Sequence, residues 1–262
     1  MHYHGHDPYY HRAMLKWLRR MTLFMTLILS GPALIAVSGA ISLNADWRTA
    51  NRDSAGLAPD PVTTSEAVIQ VYAARAFNWR GLFAVHTWIA TKAPRADQYK
   101  VHQVLGWNLW YGRPVVDSKF DMPDRRWYEA EPRIILDLRG AQAASLLGDI
   151  EAAIARYPYT DEYRLWPGPN SNTFVAFIAR QIPALNLEMP ATAIGKDYLS
   201  GGALIGRAPS GTGGQISLGG ALGVLAAKTE GLEVNIFGLV FGIDPRRPAI
   251  KLPGIGRIGF GA

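Results

Sequence analysis

Leu82-Phe-Ala-Val-His-Thr-Trp-Ile-Ala-Thr91 is dense in β-formers and bounded by Gly81 and Pro94. It reads as a strand carrying a histidine in its middle. Residues 99–105 form a second strand at hairpin distance. Residues 65–75, on the other side, read as a short helix or strand. Downstream, residues 117–132 are polar and punctuated by proline, as in a loop, and residues 133–138 read as a short strand. Residues 141–156 repeat apolar side chains at Ala144, Leu147, Ile150 and Ile154, a helical spacing. Pro167-Gly168-Pro169 forces a turn, and Asn170 and Ser171 are good caps for an apolar helix over 173–180. Strands and helices that follow one another in this way predict an α+β body over residues 66–200.

Beyond Gly201 the texture changes, with sixteen of the chain's 27 glycines in residues 201–262. Short apolar runs (215–218, 224–228, 232–241, 250–252 and 255–260) alternate with Gly or Pro turns. They predict an antiparallel β-meander packed on the body. Lys228, Glu230 and Glu233 break any window there long enough to cross a bilayer.

Towards the N-terminus, residues 44–65 are polar and broken by Pro59 and Pro61, a linker. Before it, residues 21–43 run for 23 positions without a charged side chain. A helix of that length covers roughly 35 Å, enough for a bilayer core of about 30 Å. Arg12, Lys16, Arg19 and Arg20 precede it. Positive residues stay on the cytoplasmic side, so residues 1–20 are expected inside and the body outside. The expected partner is therefore the bilayer, through residues 21–43. A cleaved signal peptide, with Ser38-Gly39-Ala40 as its processing site, is the competing reading. The length of the apolar run favours the anchor.

The 262 residues are 48% hydrophobic and 18% charged, which excludes a mostly disordered chain. The formal charge is +6, but half of that excess sits in the first twenty residues. The remaining basic residues form no stripe, so nucleic acid is not expected as a partner. Cysteine is absent, which removes thiolate nucleophiles, disulfides and Cys-ligated metal. His2, His4, His6 and His11 could hold a divalent metal weakly, but a flexible cytoplasmic tail is the favoured reading. No metal or cofactor is expected. The body then has two histidines, His86 and His102.

Two literal motifs lack their physical context. Residues 254–259 match G-x-G-x-x-G, but too few residues follow to build the helix that would face a pyrophosphate. Residues 206–212 imitate a phosphate loop without its lysine.

One constellation carries chemistry. Ser171 stands at a helix start, where free N–H groups and the helix dipole stabilise negative charge. His86 could serve as its base, with His102 or Gln103 orienting the imidazole; strand alternation lets only one of these share its face. Asn172 and Thr173 would supply oxyanion N–H groups, and Asn170 and Trp88 would line the site. The bland reading is an ordinary helix cap and a hydrogen-bonded core histidine.

His86-Thr87-Trp88 followed by Asn170-Ser171-Asn172-Thr173-Phe174-Val175 resembles the circularly permuted papain-like hydrolases and acyltransferases. There a strand histidine precedes an Asn-Cys-x-x-Phe-Val helix start. The resemblance implies a papain-like body, with His86 as base and Ser171 in the place of the cysteine. Together with Tyr157-Pro158-Tyr159, Pro167-Gly168-Pro169 and the ending from Gly242 to Phe260, these residues also resemble an uncharacterised bacterial family, the domain of unknown function numbered 3750. That likeness implies a location in the bacterial envelope and brings no activity with it; with the basic residues before the apolar run, the expectation is a single-pass protein of the bacterial inner membrane with a periplasmic body. A hydrolase or acyltransferase acting on cell-wall peptide or lipid is then one expectation. A non-catalytic binding or structural module is the other. Oligomeric state is left open.

Overall fold

The computed structural model describes residues 8–260. His2, His4 and His6 lie outside them. The chain is α+β, with an N-terminal apolar helix and two antiparallel sheets. Helix α1 spans Pro8–Val37, and 28 of its residues are long and apolar enough to cross a membrane. It starts well before the expected 21 and stops short of 43. Charged residues at 12–20 are good helix formers, so the helix runs on beyond the apolar stretch. Gly39, at φ +74°, ends it in the left-handed cap that glycine adopts freely.

The first sheet contains β1 (Val68–Arg75), β2 (Val85–Lys92), β3 (Lys100–Val104), β4 (Val116–Phe120) and β5 (Arg133–Arg139), ordered β4-β3-β2-β1-β5. The loop expected over 117–132 thus begins with a strand. β4 is polar and mostly exposed, so pairing with β3, rather than its own apolar pattern, makes it a strand. Helices α2 (Gly140–Ala155) and α3 (Ser171–Gln181) pack on one face, against Val71, Ile89 and Val104. The other face, with Tyr72, Trp88 and Val101, is covered by Ala58 of the linker and by Trp127 and Ala130. β2 is buried along its whole length. That burial on both faces explains its continuous apolar texture.

The second sheet has seven strands in sequential order: β6 (Ile205–Arg207), β7 (Gly213–Leu218), β8 (Leu222–Ala227), β9 (Gly231–Ile236), β10 (Leu239–Asp244), β11 (Ala249–Leu252) and β12 (Gly256–Gly259). The run read as 232–241 is two strands, folded back at Phe237-Gly238. Its register lines up apolar side chains across strands. One row is Ile205, Ile216, Val224, Val234 and Phe241. A second is Ala226, Leu232, Ile243, Ile250 and Ile258. These rows face outward, while Gln215, Ser217, Glu233, Asn235 and Lys251 face inward and are buried.

The inward face is held by ions. Lys196 Nζ lies 2.6 Å from Glu233 Oε2 and 3.0 Å from Asp197 Oδ1. Lys251 Nζ lies 2.6 Å from Glu233 Oε1 and 2.8 Å from Glu188 Oε1. Burial alone would raise the Glu233 carboxyl, but the two ammonium groups outweigh it and hold it low.

Helix α1 meets the body along one stripe. Ile28, Gly31 and Pro32 are buried and Ile35 is half-buried. Gly31 is required there: a Cβ on it would stand 2.0 Å from the Pro253 carbonyl oxygen, in the β11–β12 turn.

Candidate functional site

The start of α3 is a knot of short polar side chains. Asn170 caps the helix, its Oδ1 accepting the N–H groups of Asn172 (2.9 Å) and Thr173 (3.2 Å). Thr173 Oγ1 accepts the Asn170 N–H at 3.1 Å and donates to Gly195 O at 2.8 Å. Asn172 Nδ2 donates to Val85 O (2.9 Å) and Ile194 O (2.8 Å). From β2, Thr87 Oγ1 donates to Asn172 Oδ1 at 3.0 Å. This knot ties helix, strand and the 194–195 turn together. The N–H groups of Asn172 and Thr173, expected to hold an oxyanion, already have an acceptor. Ser171 is buried, and its hydroxyl makes no hydrogen bond among the described residues.

His86 lies elsewhere. Neighbours on a strand point to opposite faces, and Thr87 is the residue aimed at α3. His86 points to the far side of the sheet. There its ring stacks on Trp127, centroids 3.6 Å apart and planes 11° apart, beside Trp88 at 5.7 Å. His86 Nε2 donates to Gln103 Oε1 at 3.2 Å. Burial pushes the imidazole down to about 3, against the pull of that hydrogen bond. Trp88 is itself buried, with Nε1 donating to Pro123 O at 2.7 Å.

His102 faces the helix side. Its Nε2 meets Thr91 Oγ1 at 3.1 Å and its Nδ1 meets Ser118 Oγ at 2.9 Å. Burial pushes it down to about 4. The structure therefore brings His86 together with Gln103 and Trp88, and Ser171 with Asn170, Asn172 and Thr173. His86 packs with Trp88 and Trp127 on one face of the sheet, and α3 packs on the other.

The structure adds two features to this site. Trp127 and Trp107, with centroids 5.8 Å apart, extend the stack begun by His86. A cleft of about 460 Å³ opens between the linker and the β3–β4 hairpin, lined by Pro59, Asp60, Asp97, Tyr99, Phe120 and Asp121. At its edge Asp124 accepts the N–H of Leu57 at 2.6 Å and the Ser54 hydroxyl at 2.8 Å, clamping the linker to the body. Nothing in residues 117–132 announces that clamp, because its partners are some seventy positions away.

A family described as a protein of unknown function (DUF3750) matches residues 66–198, which contain β1 through α3 and the knot at Asn170. No curated protein matches the chain, and no solved structure matches it.

Proposed function

We propose that this chain, which belongs to the DUF3750 family of proteins of unknown function, is a single-pass, membrane-anchored module of the bacterial envelope that works by binding rather than catalysis. One observation carries this reading: Thr87, the neighbour of His86, is the β2 side chain that meets α3, while His86 packs against Trp127 on the opposite face. Proton transfer needs hydrogen-bond reach, directly or through one water. An imidazole pushed down to about 3 is also a weak base at neutral pH. The anchor rests on the length and apolarity of α1, and the outward placement of the body on the basic residues before it. The ligand class that fits an anchored module with an apolar sheet face is envelope lipid.

The test uses the full chain in detergent micelles with a fluorophosphonate probe. No label on Ser171 is expected, by intact-protein mass and peptide mapping. Labelling abolished both by Ser171→Ala and by His86→Ala, with melting temperatures unchanged, would establish the Ser–His hydrolase and end the binding reading.

A further inference from the structure

The second sheet carries its polarity the wrong way round for a surface facing water. Ile216, Ile243 and Ile250 are 57%, 52% and 47% exposed, while Glu233 and Lys251 opposite them are buried. Seven strands about 4.8 Å apart and about 20 Å long give a face of roughly 600 Å², at the upper end for patches on soluble monomers. Arg207, at the β6 edge, is the one charged side chain in register with the two apolar rows.

The ends of this sheet differ. At the end touching α1 the turns are residues 219–221, 237–238 and 253–255, which contain no ionisable side chain of their own; the Arg75 guanidinium approaches the last from the body side, donating to Gly254 O at 2.6 Å. At the other end the turns carry exposed Lys228 and Arg246. Depth along α1 matches this gradient. Gly31 lies eleven residues past Arg20, about 16 Å along the helix, near the middle of a core of about 30 Å. The β11–β12 turn packs on that glycine. Strands of six residues, such as β9, span about 20 Å, enough to reach from there to the headgroups, and Lys228 and Arg246 stand at their far end. The edge strands are short, three residues in β6 and four in β12. That keeps the row of unpaired backbone groups at each edge short.

We infer that the outward face of β6–β12 is a lipid-contacting surface, immersed in the outer leaflet of the bilayer that α1 crosses, with its charge-free turns deepest. The inference rests on α1 being an anchor, and the test separates the two. The chain has no cysteine, so single nitroxide labels can be placed through Ile216→Cys, Ile250→Cys, Phe237→Cys, Lys228→Cys and, on α1, Leu27→Cys. All five positions are exposed, so the fold should survive, as circular dichroism will report. The full chain is reconstituted in phosphatidylethanolamine/phosphatidylglycerol vesicles, and collision rates with oxygen and with a water-soluble nickel chelate are compared. Labels at 27, 216, 237 and 250 are expected to favour oxygen several-fold, with 237 deeper than 216, and the label at 228 to favour nickel. Nickel-accessible labels at 216, 237 and 250, with 27 still in lipid, overturn the proposal and leave the anchor standing. A water-exposed label at 27 removes the anchor and the proposal together. Dipolar broadening at 216 and 250 that persists on lipid dilution makes a second copy the occupant and overturns the proposal.

Discussion

Burial, a stack on Trp127 and one hydrogen bond from Nε2 to Gln103 define the surroundings of His86, and none of them welcomes a second proton. His102, between Thr91 and Ser118, is held neutral in the same way. Both folded-state values, about 3 and about 4, lie below the unfolded value of about 6.5. Between these limits the unfolded chain binds more protons, so stability is complete above pH 6.5 and falls as the pH drops. At the limit each histidine removes about 1.4 kcal/mol per pH unit below 6.5. The melting temperature should therefore decline from pH 6.5 to 5. Burial pushes the Glu230 carboxyl up, and that group acts in the opposite sense. The informative quantity is thus the difference between the native chain and His86→Phe, which keeps a ring on Trp127 but cannot titrate. The variant should lose up to about 1.4 kcal/mol per pH unit of the slope; an unchanged slope would show that His86 is not held neutral. Strand alternation made the choice between Gln103 and His102 legible as a choice. It could not say which face α3 would cover, because that depends on the chain crossing over the sheet.

Elements whose side chains carry their own instructions were readable in advance. The strand around His86, the helix from Gly140 and the cap at Asn170 lie close to where local pattern puts them. β4 was not readable, since it takes its form from β3. The second sheet inverts the usual cost of substitution. Glu233→Gln leaves Lys196 and Lys251 without their shared carboxylate in a buried setting, which costs about 3 kcal/mol. A drop in melting temperature of roughly 6–12 °C in detergent follows. Val224→Ala, on the outer rows, should stay within about 0.5 kcal/mol. Equal effects from the two substitutions would mean that the ion pairs on the inner face are not what joins sheet to body.

For the molecule as a whole, orientation follows from where the positive residues lie. Arg12, Lys16, Arg19 and Arg20 precede the apolar run, so a reporter enzyme active only outside the cytoplasm, fused after Ala262, should be active. A silent reporter, with a cytoplasmic one working in its place, would reverse the topology. The amino-acid order alone set the apolarity of α1, the strand around His86, the helix cap at Asn170 and the short apolar runs and Gly-rich turns beyond Gly201. Those are local matters, decided by backbone sterics and by a period of two or 3.6. An alternating strand has two faces and no instruction as to which one the rest of the chain will cover. Only the folded arrangement decided that. It set Glu188, Lys196 and Asp197 against Glu233 and Lys251, so the charges closed on one another inside and the isoleucines were left facing out. In the same way it turned Thr87 towards α3 and His86 towards Trp127 on the opposite face of the sheet.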